Sequence, residues 1–123
     1  MKNRDQVFLI VDDEPDMCWA LENILKRNDF FSKNATNGRE ALELVKQHRF
    51  RLAFLDAKLP DMEGLQLAKK IRDIDPLVLI VIVSGYFYRD DTDILNAQKQ
   101  GLINGFIAKP FSHDHVLKVI ERL

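Results

Sequence analysis

The chain has 123 residues, 46% of them apolar and 30% charged, with 5 glycines and 4 prolines. Such a chain fits one compact domain over residues 1–123 and can bury about two thirds of its unfolded surface, which excludes disorder, collagen-like repeats and a disulfide mini-protein. Lysine plus arginine is 18 and aspartate plus glutamate 19, a net charge of −1, where a dedicated nucleic-acid binder is usually more basic.

Two patterns alternate along the chain: short β-branched or aromatic runs, then longer stretches with helical spacing. Val7 to Val11 is apolar without alternation, which suits a strand covered on both faces. It ends in Asp12-Asp13-Glu14-Pro15, where Asp13 or Glu14 can cap a helix and Pro15 suits its first turn. That helix carries Met17, Ala20, Leu21, Ile24 and Leu25 on one stripe. A weaker strand follows near Phe31 to Ala35. Asn37 and Glu40 then have capping-box spacing ahead of the stripe Ala41, Leu42 and Val45.

Arg51 to Leu55 reads as the third strand and stops at Asp56. Pro60 to Gly64 is a turn into a helix with Leu65, Ala68 and Ile71, broken by Pro76. Leu77 to Val83, the most apolar segment, is expected to be the central strand, with Ser84-Gly85 at its end. Asp90 to Gln100 predicts a fourth helix with Ile94, Leu95 and Gln98 on its stripe and Gly101 at its end. Asn104-Gly105 signals a turn, and Phe106 to Ala108 is a short fifth strand ending at Lys109-Pro110. Ser112 can cap a last helix bearing Val116, Leu117, Val119 and Ile120. Five such units predict an α/β fold: a single five-stranded parallel sheet, doubly wound, with helices on both faces.

The one cysteine, Cys18, cannot form an internal disulfide and fits a reducing compartment. Met1 to Gln6 lacks the apolar core of a signal peptide, and Leu77 to Tyr88 is too short to cross a bilayer. These features suit a cytoplasmic domain.

In open α/β sheets ligands bind at the carboxyl ends of the strands. Asp12 and Asp13 follow the first strand, Asp56 the third, Ser84 the fourth and Lys109 the fifth. Three carboxylates in one cleft repel one another, and a hard divalent cation such as Mg²⁺ offsets that charge. Lys109 adds a fixed positive charge and Ser84 a hydroxyl. This set suits phosphoryl transfer to an Asp nucleophile through an acyl phosphate.

On these residues the chain resembles the receiver domains of bacterial two-component response regulators, the CheY-like family. The resemblance rests on Val11-Asp12-Asp13-Glu14-Pro15, Leu55-Asp56 with Leu59-Pro60-Asp61-Met62-Glu63-Gly64, Val83-Ser84-Gly85, and Phe106-Ile107-Ala108-Lys109-Pro110-Phe111. Each segment alone is weak, but together they span nearly the whole chain in the right order. The resemblance implies a flavodoxin-like (βα)5 fold and assigns roles. Asp56 matches the phosphoacceptor. Asp13 matches a direct Mg²⁺ ligand, Asp12 a ligand through water, and the Lys58 backbone carbonyl faces the metal. Ser84 matches the hydroxyl that moves toward the phosphoryl group, Lys109 its lysine partner, and Phe106 the aromatic switch. Lys109-Pro110 matches a bond usually cis in this family.

The implied partner is a sensor histidine kinase or a phosphotransfer domain. The implied output is a change in the face made by helix four, strand five and helix five, which is also the implied surface for a homodimer. The only chemistry implied is Mg²⁺-dependent self-phosphorylation and acyl-phosphate hydrolysis, with no direct contact to nucleic acid or membrane. The stretch from Ser84 to Lys109 is a few residues longer than the family pattern, which implies an unusual fourth helix or a longer loop. Lys58 and Tyr86 sit where the family varies, and their bulk is expected to slow dephosphorylation.

Several residues carry two readings. Phe106 is a switch or simply core. Trp19 lies off its helix stripe and, with Pro15 and Phe111, forms a kinase-docking patch or packs against helix five. Tyr86-Phe87-Tyr88 is an output or dimer surface, or a loop tucked onto the fold. Cys18 reads as a packed or half-exposed thiol rather than a reactive one, and His113 and His115 as solvated surface. The competing function is a pseudo-receiver: the same fold as a phosphorylation-independent binding or dimerisation domain. A flavin site, a P-loop nucleotide site and a capped Asp-phosphatase all lack their required segments.

Overall fold

The computed structural model describes residues 7–85 and 92–123. Five strands alternate with five helices: β1 (Val7–Val11), α1 (Pro15–Arg27), β2 (Phe31–Ala35), α2 (Gly38–Gln47), β3 (Leu52–Asp56), α3 (Gly64–Ile74), β4 (Leu79–Ser84), α4 (Thr92–Lys99), β5 (Gly105–Ala108) and α5 (His113–Arg122). All strand pairs are parallel, in the order β2-β1-β3-β4-β5. The expected doubly wound α/β sheet is therefore present. Its centre, however, is β3 rather than the most apolar segment. Apolarity measures coverage of both faces, and β4 has that coverage while lying one place from the edge.

Alternate residues of β1, β3, β4 and β5 feed two cores, while β2 adds only Ala35. Leu9, Val11, Ala53, Leu55, Ile80 and Ile82 pack with α2, α3 and α4 residues such as Val45, Ile71 and Ala97. Phe8, Ile10, Phe54, Val81, Val83 and Ile107 pack with Leu21 and Leu25 of α1 and Val116 and Ile120 of α5. Burying a large aliphatic side chain contributes about 1.5–3 kcal/mol, so both faces must be covered for this chain to fold.

The ends of the elements refine the sequence reading. Leu77 is 71% exposed and precedes β4, because the Asp75 carboxylate accepts from the Leu77 N–H at 3.1 Å and closes a turn there. On α1 it is Cys18 that is buried, while Met17 is half-buried. The expected stripe of α4 is displaced: Ala97 is buried, Ile94 half-buried, and Leu95 and Gln98 are exposed. An eight-residue helix meets the sheet along a narrow line, so only one position is fully covered. It ends as expected at Gly101, whose φ of 76° suits glycine. The Gly101 N–H reaches the Gln98 carbonyl at 3.1 Å and the Leu102 N–H the Ala97 carbonyl at 2.9 Å, which is the Schellman pattern. The start of the expected fourth helix at Asp90 and the run Tyr86-Phe87-Tyr88 lie outside the described residues.

The segment after α4 is firmly held. Ile103 is buried, the Asn104 N–H donates to the Ile80 carbonyl at 2.7 Å, and the Asn104 amide oxygen accepts from the Ile80 N–H at 2.9 Å. Arg72 of α3 donates to that same amide oxygen at 2.9 Å and to the carbonyls of Leu102, Pro76 and Val78. The end of α3, the entry to β4 and the α4–β5 connection thus share one guanidinium.

Candidate phosphoacceptor and cation site

The order of the strands reverses direction between β1 and β3, and the loops that leave these two strands open a crevice between them. Asp12 and Asp13 leave β1 and Asp56 ends β3, so their carboxylates converge, with a ligand oxygen of each lying within 4.8 Å of the others. A cleft of about 370 Å³ is lined by Asp13, Glu14, Asp56, Ala57, Lys58, Ser84, Gly85 and Lys109. Asp12 is buried beneath it and Asp13 is exposed at its mouth.

Lys109 enters from the end of β5, positioned by its N–H bond to the Ser84 carbonyl at 2.7 Å, and the Lys109–Pro110 peptide that follows is cis, as expected. Its ammonium donates to Asp12 Oδ2 at 2.9 Å, and lies 3.6 Å from Glu14 Oε1 and 3.8 Å from Asp56 Oδ1. Burial works against the Lys109 charge, but the Asp12 bond and the surrounding carboxylates outweigh it and raise its pKa. Burial is also the main reason the Asp56 carboxyl is raised, with the Asp12 charge adding to it and Lys109 opposing. Among the described residues, one ammonium stands among four carboxylates, which leaves the cleft rich in negative charge. All-oxygen donors on three short side chains are the chemistry a hard divalent cation such as Mg²⁺ selects, so these residues fit that ion.

The expected α1 cap takes a different form. Glu14 is the N-cap residue, but its side chain makes no cap bond. Instead Asp12 Oδ1 accepts from the Glu14 N–H at 2.9 Å. The Glu14 carboxylate faces Lys109, a site contact that sequence reading missed because an acidic residue before Pro15 looks like a cap. Asn37 does cap α2, accepting from the Glu40 N–H at 2.8 Å. The Glu40 carboxylate reaches past the N-cap to the N–H and hydroxyl of Thr36, at 2.9 and 2.6 Å.

The loop from Asp56 to α3 is closed on itself. The Leu59 N–H bonds the Met62 carbonyl at 3.0 Å, and the Gly64 N–H bonds the Ala57 carbonyl at 2.8 Å. Lys58 bridges to Glu63, and its N–H lies 3.4 Å from Asp56 Oδ1. A Cβ on Gly64 would meet the Asp56 carbonyl oxygen at 2.5 Å, so only glycine allows α3 to start this close to Asp56. At the loop tip, Asp61 accepts from the N–H groups of Gly38 and Arg39, at 2.8 and 3.0 Å. Nothing in the local sequence around Asp61 signalled this, because its partners lie more than twenty residues upstream.

Ser84 is buried at the end of β4 and lines the cleft. Phe106 pairs beside Ile82 and is half-buried against the α4 face of the core. Trp19 is 67% exposed, so it does not pack onto α5. Pro15 is also exposed, whereas Phe111 is half-buried against the α1–α5 core. Cys18 is buried, donates to the Asp12 carbonyl at 3.3 Å, and has its pKa raised by burial to about 11, which agrees with a packed, unreactive thiol. His115 is exposed, while His113 is half-buried beside the Asn28 amide at 3.4 Å, so only one of this pair is the solvated surface expected. No helix among the described residues is long and apolar enough to cross a membrane.

A parallel 2-1-3-4-5 sheet thus carries an acidic pocket and a lysine at its carboxyl edge. The Response regulator receiver domain family matches residues 8–121, and the chain belongs to that family, the receiver domains of two-component response regulators. Among curated relatives, chemotaxis protein CheY of Bacillus subtilis (strain 168) is 34% identical over 116 residues, covering 94% of each chain. A solved CheY-like receiver domain from Methanospirillum hungatei JF-1 superposes with a TM-score of 0.86 at 27% identity, covering 95% of this chain and 91% of that one. The response regulator TrrA of Thermotoga maritima, solved in complex with Mg²⁺-BeF, superposes with a TM-score of 0.81 at 26% identity, covering 95% and 97%. Receiver domains bind Mg²⁺ at an acidic pocket and take part in phosphorylation-controlled switching.

Proposed function

We propose that residues 1–123 act as one receiver domain whose Asp56 accepts a phosphoryl group in a Mg²⁺-dependent reaction. The observation that carries this is the convergence of Asp12, Asp13 and Asp56, two of which, Asp12 and Asp56, face the Lys109 ammonium. The Mg²⁺-BeF complex of TrrA supports it as an analogy. A carboxylate oxygen of Asp56 attacks phosphorus, the P–O or P–N bond to the donor breaks, and the electron pair leaves with the donor. The product is an acyl phosphate on Asp56. Asp12, Asp13, Asp56 and the Lys58 carbonyl would hold the cation, which when bound offsets charge on the phosphoryl oxygens.

The chain's own groups do the rest. Lys109 exchanges its Asp12 bond for a phosphoryl oxygen, and the Ser84 hydroxyl donates to another. Movement of Ser84 toward the phosphoryl group vacates space beside β4, and Phe106 turns inward to fill it. The face of α4, β5 and α5 then alters its affinity for partners, itself included as a homodimer. Water returns Asp56 to the free carboxylate, and the bulk of Lys58 and Tyr86 slows that return. The phosphoryl donor is a sensor histidine kinase or phosphotransfer domain in the cytoplasm. It docks on the exposed Pro15 and Trp19, with Phe111 supporting the patch.

Intact-mass spectrometry tests this proposal after incubation with Mg²⁺ and a small acyl-phosphate donor. One phosphoryl group is expected on the wild type, and none on Asp56→Asn or without Mg²⁺. A wild type that gains no mass, and does not respond to beryllofluoride, would instead act as a phosphorylation-independent binding domain.

A further inference from the structure

We infer that Asp61 is a positioning residue for the cation site, acting by pinning the loop that carries Asp56 and Lys58 to the start of α2. The inference rests on the phosphoacceptor reading and adds to it a residue outside the cleft. The loop between β3 and α3 leaves the sheet at Asp56 and returns at Gly64, and its internal bonds make it a closed unit. A closed unit can still tilt about its two ends. What fixes the tilt is the tip. The two carboxylate oxygens of Asp61 each take one of the free N–H groups of the first turn of α2, Gly38 at 2.8 Å and Arg39 at 3.0 Å.

The neighbouring residue makes the contact from the other side. Met62 lies so close to Gly38 that a Cβ there would meet its sulfur at 2.5 Å, so Gly38 leaves the space that Met62 fills. A bidentate acceptor and an adjacent apolar plug hold the tip in two directions. The Gly38 bond is the main reason the Asp61 carboxyl sits below its usual pKa, so the charged form is the one engaged. Asn37 meanwhile caps the same helix at the Glu40 N–H, so Asp61 serves donors that Asn37 does not reach. The pin therefore does more than repeat a cap: it links α2 to the backbone that presents the Lys58 carbonyl.

Groups that orient metal ligands typically change affinity 10–100-fold when removed. Asp61 acts through four residues of loop, which puts the expected loss for Asp61→Ala near about tenfold. Calorimetric titration with Mg²⁺ on the full chain reads this directly. Asp61→Ala should raise the Mg²⁺ dissociation constant about tenfold, and Asp61→Asn, which keeps one acceptor, should fall between. The phosphorylation rate should need correspondingly more Mg²⁺ for half-saturation but reach the wild-type plateau.

Asn37→Ala is the control. It weakens the same helix end without touching the loop, so it should leave the Mg²⁺ affinity unchanged. Wild-type affinity in both Asp61 variants, or an equal loss in Asn37→Ala, overturns the pin. A wild type that binds no Mg²⁺ overturns the pin and the site reading together. A wild type that binds Mg²⁺ but takes no phosphoryl group overturns the phosphoacceptor reading alone, and the calorimetric comparison still decides the pin.

Discussion

The Lys109 ammonium donates to Asp12 at 2.9 Å while standing 3.8 Å from the Asp56 carboxylate. The ammonium beside Asp56 is thus engaged by a different carboxylate, and it also stands 3.6 Å from Glu14, so Lys109 is ion-paired with three acidic groups in the cleft.

Removal of that ammonium leaves buried negative charge uncompensated. Lys109→Met should destabilise the fold by about 2–3 kcal/mol in Mg²⁺-free buffer, somewhat below the range for a broken buried pair because the cleft is open to water. Added Mg²⁺ should recover much of the loss. Urea unfolding with and without Mg²⁺ measures both terms, and a variant as stable as the wild type without the ion would refute the charge argument.

Asp56→Asn should move stability the other way. A carboxyl whose folded pKa lies above its unfolded value binds more protons when folded, so between those two values stability falls as pH rises. Burial, then the Asp12 charge, sets this direction for Asp56, so at neutral pH its ionised form weakens the fold. The neutral amide removes that strain, and a gain of about 1 kcal/mol is expected by urea unfolding at pH 7 without Mg²⁺. The gain should vanish when saturating Mg²⁺ is present for both proteins.

Two glycines at the cleft predict opposite outcomes. Gly64→Ala places a methyl 2.5 Å from the Asp56 carbonyl oxygen and 3.1 Å from the Ala57 Cα, against backbone that cannot yield. It should cost about 2–3 kcal/mol and displace the acceptor loop, lowering the phosphorylation rate. Among the described residues the nearest atom to a Cβ added at Gly85 is Lys109 Cδ at 4.0 Å, so Gly85→Ala should change stability by no more than about 0.5 kcal/mol. Equal effects at the two positions would contradict the steric difference.

The Cys18 thiol should be slow to alkylate at pH 8 and fast after unfolding. Burial raises its pKa from 9.0 to about 11, so the folded chain holds the proton that the unfolded chain releases. The sign follows: stability attributable to Cys18 is intact below pH 9 and falls as pH rises toward about 11. Lys109, raised above 10.5, contributes stability that is intact below pH 10.5 and is lost as pH rises beyond it. Cys18→Ser should flatten the decline between pH 9 and 11 in unfolding curves, and an unchanged slope would remove Cys18 as its cause.

Much of the site was legible because the fold places it by a rule. Strands of a parallel sheet end on the same edge, so Asp12, Asp13, Asp56, Ser84 and Lys109 could be grouped from their positions after apolar runs. Asn37 and Ser112 were legible as caps because their partners, Glu40 and His115, lie three residues on. Glu14 does hold the N-cap position that its place before Pro15 suggested, but its side chain makes no cap bond and stands 3.6 Å from Lys109, a partner at the far end of the chain.

The sequence by itself determined the alternation of elements, the two-sided burial of β1 and the five polar residues at the strand ends, since these follow from period and residue type within short windows. Tertiary structure decided what depends on neighbours distant in sequence. It placed β3 rather than β4 at the centre of the sheet, left Trp19 in solvent, and gave Lys109 to Asp12. It also set Asp61 on the first turn of α2 and Arg72 on the α4–β5 connection. Each of these bonds joins groups that only the tertiary fold brings within a few ångströms, and periodicity along the chain carries no trace of that distance.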